Sequence, residues 1–159
     1  NAGITRDAAL HKMTLQQWND VINTNLNSAF NLVSSVIGKM RDSGFGRIVH
    51  ISSVNGQKGQ FGQTNYAATK SALLGFSKSL ALEVASKGIT SNVVAPGYIN
   101  TEMVAAIRED ILKSIVDTIP SKRLGESDEI ADLVNYLISD QAAYINGATF
   151  SINGGLRMD

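Results

Sequence analysis

Cysteine is absent from the 159 residues. That excludes a disulfide framework, a thiolate-bound zinc or iron–sulfur centre and a thiol nucleophile, and it fits a cytoplasmic protein. An excess of charge of one sign is missing too. Lys plus Arg number 14 and Asp plus Glu 14, so the formal net charge is 0 and no whole-protein field draws nucleic acid or an anionic membrane. Proline occurs only at Pro96 and Pro120, and aromatic residues make up 6% of the chain. No uninterrupted apolar run approaches the about 20 residues of a membrane helix. The first residues carry Arg6, Asp7, His11 and Lys12 and lack the apolar core of a signal peptide. What is present is globular composition, 43% hydrophobic and 18% charged, in a length that suits one domain.

The pattern along the chain alternates helices with short strands. Thr14 and Gln17 form a capping box, and Trp18, Val21, Ile22, Leu26, Phe30, Val33, Ile37 and Met40 recur at helical spacing, so a long helix is expected to end near Gly44. Gly46 to Ser52 is a β-branched run that reads as a strand, and the polar, glycine-bearing stretch Ser53 to Gln63 reads as a loop. From Thr64 to Lys87 small and apolar residues cover nearly every face, which predicts a helix buried on several sides and stopped by Gly88. Thr90 to Ala95 reads as an apolar strand stopped by Pro96-Gly97. Short helices are expected up to Thr118, a helix from Ser127, and a last strand over Ala148 to Ile152. Strands separated by helices of this length imply right-handed parallel crossovers in an α/β sheet.

Tyr66 and Lys70 are four apart on one helix, one turn from each other on the same face. That spacing also suits a surface tyrosine beside a solvated lysine. Ser53 raises its significance, because it lies just past a strand end, where open α/β sheets bind their ligands. Asn25 sits within Asn23-Thr24-Asn25, poor helix formers in mid-helix, and taken alone would be a tolerated irregularity. His11 and His50 have no acidic partner at ligand or triad spacing, and Met13, Met40, Met103 and Trp18 read as core or pocket walls.

In order, Asn1-Ala2-Gly3, Asn25, Ser53, Tyr66-Ala67-Ala68-Thr69-Lys70 and Pro96-Gly97 with Thr101 resemble the signature of the short-chain dehydrogenase/reductase family across the whole chain. The resemblance implies a Rossmann-type doubly wound parallel sheet, a nicotinamide-dependent oxidoreductase without metal, and a homotetramer. It would make Tyr66 the proton donor to a substrate carbonyl, Ser53 the group that polarises that carbonyl, and Asn25 the holder of a water in the proton relay. Lys70 would bind the nicotinamide ribose and lower the Tyr66 pKa. Asn1, Ala2, Gly3, Tyr66, Lys70, Pro96, Gly97, Ile99 and Thr101 would contact the cofactor. Members of this family begin with a strand, a glycine-rich turn and a helix that precede anything matched here. Residues 1–159 are therefore expected to be the C-terminal catalytic part of one such domain, holding its last three strands, with Gly46 to Ser52 exposing an open parallel edge.

Within the family, Ser52 to Tyr66, Pro96-Gly97-Tyr98 and the ending Asn153 to Met158 resemble most the members that reduce acetoacetyl-CoA. That resemblance implies NADPH, with NADH left open, and an acyl-CoA path lined by Asp7, Gln60, Phe61, Gln63 and Tyr98. The alternative is a reductase of 3-oxoacyl groups on the acyl carrier protein, which resembles the chain over nearly the same length. Where those enzymes place two basic residues for the acidic carrier, this chain has Gly44 and Lys87. A non-enzymatic alternative is an inactive oligomerisation fragment built on the helices from Thr14 and Thr64, though nothing in such a module requires Ser53, Tyr66 and Lys70 together.

Overall fold

The computed structural model describes residues 3–105 and 107–158, with the side chains of Met103 and Ala105 outside the description, as are Asn1 and Ala2. Helices α1 (Leu15–Ile22), α2 (Ser28–Ser43), α3 (Val54–Lys58), α4 (Thr64–Val84), α5 (Glu102–Ala105), α6 (Glu109–Thr118) and α7 (Ser127–Leu137) alternate with strands β1 (Gly46–Ile51), β2 (Ile89–Pro96) and β3 (Thr149–Ile152). The strands form one parallel sheet in the order β1-β2-β3, with Gly46 opposite Ile89 and Val93 opposite Thr149. Ile48, Leu80, Val84 and Ile89 make a core cluster against which Val33, Ile37, Met40 and Phe76 pack, so α2 and α4 cover one face of the sheet. Neighbouring strand residues point to opposite faces. Arg47 accordingly reaches the other side, where its Nε donates to the carbonyl of Ser139 beyond α7. β1 pairs only with β2, leaving its outer edge open among the described residues.

Three details differ from the sequence reading. The long helix is broken between α1 and α2 by a π turn over Asn23–Asn27, where residues that compete for backbone hydrogen bonds cluster. The stretch after Ser53 is partly helical, because Ser53 caps α3. β2 is buried but not purely apolar: Ser91 and Asn92 have no exposed surface. Asn92 donates to the carbonyl of Ile145 at 2.8 Å and accepts from the Ala148 N–H at 3.0 Å, while Ser91 shares a 2.8 Å hydroxyl bond with Ser77. These bonds remove the cost of burying amide and hydroxyl groups. α7 starts at Ser127 as expected, and the carboxylate of Glu129 accepts the N–H of the Glu126 cap.

The helices that feed the sheet stop alike. Gly44 ends α2 with φ 67°, and Gly88 follows α4 and its terminal turn with φ 69°. A Cβ on Gly88 would fall 2.3 Å from the Gly44 carbonyl oxygen, so the two turns touch backbone to backbone at the start of β1 and β2.

Candidate active site

The site is built where β1 ends. Ser53 is extended (φ −164°, ψ 152°) and caps α3, its Oγ accepting the Asn55 N–H at 3.1 Å. The hydroxyl keeps its proton as a donor. Tyr66 and Lys70 stand one turn apart on α4, and Ser53 and Tyr66 line the same cleft, with the Ser53 side chain close enough to favour the ionised phenol. The preceding residue, Asn65, has no exposed surface and ties three segments together. Its Nδ2 donates to the carbonyls of Arg6 (3.0 Å) and Gln17 (3.3 Å), while Oδ1 accepts the Tyr66 N–H at 2.7 Å. Nothing in the sequence pattern marks Asn65, because its partners are far away in the chain.

Burial pushes the Tyr66 phenol above its ordinary 10.0, with Asp7 adding to the rise and the Ser53 hydrogen bond opposing it. Lys70 is only 8% exposed, its own pKa is lowered by burial, and its Nζ donates to the Ile51 carbonyl at 2.9 Å, lying 5.6 Å from the Tyr66 ring centroid. The cation is committed to the strand end rather than to the phenol oxygen.

Ser53, Tyr66, Asp7, Gln63, Gly97, Tyr98, Ile99 and Thr101 line one cleft of about 380 Å³, together with Thr5, Asn55, Val104 and Ile107, which the sequence did not single out. Gln63 is already paired at both ends of its amide, donating to Asp7 at 2.9 Å and accepting from Asn55 at 3.0 Å. Its amide therefore frames the cleft instead of standing free for a ligand. Phe61 is 90% exposed and is not a wall of this cleft. Gln60 accepts from Lys58 Nζ and lines a smaller cleft of about 230 Å³ on another side of Tyr98.

Asn25 and Lys70 face a different space, a groove of about 450 Å³ along the open edge of β1. Asn25, in the π turn, pairs its amide with the peptide of Ile4: Oδ1 accepts from Ile4 N and Nδ2 donates to Ile4 O, both at 2.9 Å. That double bond fastens the segment that carries Gly3, Thr5 and Asp7. Asn25 thus has its side chain occupied, and any water-holding role would fall to its backbone.

Pro96 ends β2 opposite Ile152 and is not a wall of the cleft, while Gly97 must lack a side chain because a Cβ would lie 2.8 Å from Asn153 Cα. The parallel bridge of Ile99 with Gly125 is made through the Tyr98 carbonyl and the Asn100 N–H, at 2.9 and 2.8 Å. The Ile99 peptide groups therefore point away from that partner. A free peptide N–H, the Thr101 hydroxyl and the apolar Val104 and Ile107 form a donor set and a flat wall that fit a carboxamide-bearing ring such as nicotinamide.

The family model described as Enoyl-(Acyl carrier protein) reductase matches residues 1–157. The chain is 59% identical to an acetoacetyl-CoA reductase of Cupriavidus necator, over 99% of this chain and 64% of that protein. It is 60% identical to an acetoacetyl-CoA reductase of Shinella zoogloeoides, over 98% of this chain and 65% of the relative. To the 3-oxoacyl-[acyl-carrier-protein] reductase FabG of Escherichia coli the identity is 53%, over 99% and 65%. The chain thus spans just under two thirds of these relatives. With its parallel sheet, its Ser53–Tyr66 pair at the end of β1 and a family match over nearly its whole length, the chain belongs to the short-chain dehydrogenase/reductase family.

Proposed function

We propose that this chain is the catalytic part of an NADPH-dependent reductase of 3-oxoacyl thioesters, with acetoacetyl-CoA as the first substrate. The observation that carries the reading is the pair of hydroxyls lining one cleft, Ser53, whose Oγ accepts the Asn55 N–H, and Tyr66. Ile99 and Thr101 would hold a dihydronicotinamide ring, which when bound would supply a hydride to the carbonyl carbon. The negative charge that develops on the carbonyl oxygen is met by the Ser53 hydroxyl as donor, and this favours the transition state over the ground state. Tyr66 then gives its proton to that oxygen, leaving the alcohol. A phenol held above its ordinary pKa keeps that proton at neutral pH, and Lys70, within 5.6 Å of the ring, stabilises the phenolate once it forms. Tyr98, shared by the two adjoining clefts, supports an elongated ligand that runs past it.

The names of the relatives support both a CoA and a carrier-protein thioester. Lys87, at the end of the α4 segment, stands at the touching turns of Gly44 and Gly88, where the Arg47 guanidinium is engaged by the Gly88 carbonyl; with Gly44 in place of a second basic residue, CoA is favoured over an acidic carrier. The same reading makes the enzyme cytoplasmic and homotetrameric, and exposed Phe30, Leu32 and Leu82, at 60, 66 and 86%, supply apolar surface for subunit contact. No helix among the described residues is long and apolar enough to cross a membrane. The test is the ratio of kcat/KM for acetoacetyl-CoA and acetoacetyl carrier protein, measured in the full-length protein at one ionic strength. A higher value for CoA is expected; a carrier-protein preference at physiological salt overturns the substrate assignment.

A further inference from the structure

We propose that Gly56 is a positioning residue for this reaction: its missing side chain lets α3 rest on the backbone of α4 at Lys70 and Ser71, and that contact fixes the Ser53 hydroxyl against the Tyr66 phenol. The inference rests on the reading of Ser53 and Tyr66 given above. A Cβ on Gly56 would stand 2.7 Å from Lys70 Cβ, 2.8 Å from the Lys70 carbonyl carbon and 3.0 Å from Ser71 N. These are backbone or backbone-anchored atoms, so rotating a side chain cannot relieve the crowding. The two helices must separate to admit even a methyl group.

Three further contacts make this seat part of the site. The Ser71 hydroxyl donates to the Gly56 carbonyl, which holds the turn down. Gly56 N donates to the Ser53 carbonyl at 2.9 Å, so Ser53 and Gly56 belong to one rigid turn and move together. Ser52 Oγ donates to the Lys70 carbonyl at 2.7 Å, anchoring the strand end to the same residue of α4. Glycine inside a helix costs about 1 kcal/mol relative to alanine, so alanine would serve α3 better if only the helix mattered. The close approach is what requires glycine.

The experiment reads the ionisation of Tyr66 by ultraviolet titration of the full-length protein, each variant corrected by its own Tyr66→Phe counterpart. Tyr66 is faced by Ser53 from the α3 turn, Asp7 from the N-terminal segment, Lys70 from its own helix and Tyr98 across the cleft. Gly56 carries the turn of Ser53 and also rests on Lys70, so the cycle with Ser53→Ala separates the Ser53 contribution from any displacement of Lys70. Gly56→Ala is expected to raise the midpoint by roughly half a pH unit, as Ser53→Ala does, with no further rise in the double variant. In the assay of 3-oxoacyl thioester reduction, kcat falls by about tenfold while KM changes by less than about twofold. A merely structural glycine would lower the melting temperature and leave the titration unchanged. That result, or additive shifts from Gly56→Ala and Ser53→Ala, overturns the proposal. If Gly56→Ala does not fold, Ser71→Ala decides. It releases the Gly56 carbonyl without adding volume, a smaller shift in the same direction is expected, and an unchanged midpoint overturns the inference. The titration needs no substrate, so a wild-type protein that reduces no 3-oxoacyl thioester refutes the proposed function and leaves the positioning result readable.

Discussion

The ammonium of Lys70 is latched to the carbonyl of Ile51, the last residue of β1, at 2.9 Å. Ser52 answers with a 2.7 Å bond to the Lys70 carbonyl, so α4 and the strand end are fastened twice at one residue. A buried cation held by a single carbonyl is poorly compensated, and burial lowers its pKa. Lys70→Met, of similar length and without the charge, is therefore expected to change unfolding free energy by no more than about 1 kcal/mol while lowering kcat at least about a hundredfold. Urea unfolding and steady-state kinetics of the same preparation check this. A loss of several kcal/mol with activity retained would make Lys70 a structural latch only.

Tyr66→Phe removes the proton that the carbonyl oxygen receives and leaves the ring in place. In the full-length protein kcat is expected to fall at least about a thousandfold, roughly 4 kcal/mol in the barrier, with nicotinamide binding unchanged by fluorescence titration. Retention of more than about a tenth of kcat, a loss under roughly 1.4 kcal/mol, would end the proton-donor assignment.

Asn25→Ala deletes both amide bonds to the Ile4 peptide. Each is worth about 1 kcal/mol net, so a loss of about 2 kcal/mol in urea unfolding is expected, together with faster amide exchange over residues 4–7. Unchanged exchange there would show that Asn65 and Gln63 suffice to hold the segment.

His50 is 6% exposed, packs edge-on against Phe76 at 5.3 Å, and is held below its ordinary 6.5 by burial. The unfolded chain therefore takes up this proton first, and native stability is full above 6.5 and falls as pH drops toward the folded value. The slope cannot exceed about 1.4 kcal/mol per pH unit for one proton. Glu129, held at about 2 against an ordinary 4.5 by Arg123, acts in a lower window. Denaturant melts between pH 5 and 7, of the order that isolates a histidine, should show the slope in the wild type and lose it in His50→Gln.

Local signals in the sequence gave the elements, and long-range ones hid. The Thr14–Gln17 box and the glycine stops at Gly44 and Gly88 work through neighbours a few residues away, so the reading placed them where the structure has them. The odd composition of Asn23-Thr24-Asn25 was visible, but that it would widen one turn into a π turn, with Asn25 bonded to Ile4, depends on a partner outside the helix. α3 was missed because five residues with a central glycine carry no period. The polar interior of β2 was missed because Ser91 and Asn92 find their partners on α4 and in the turn before β3. At the site, the spacing of Ser53, Tyr66 and Lys70 could be read, whereas the engagement of Lys70 by Ile51 and of Gln63 by Asp7 and Asn55 could not.

The contact of Gly44 with Gly88 turns the sheet into a ruler. Because both turns meet at one level, β1 and β2 start flush, and the depth at which Ser53 and Gly97 emerge at the far end is set by counting residues along each strand. A single residue inserted into either strand would move its end by about 3.3 Å, more than the length of a hydrogen bond. The chemistry at one end of the sheet is in that sense gauged from the other, and an alteration at Gly88, far from any reacting atom, would be felt as a change in the height of the cleft floor.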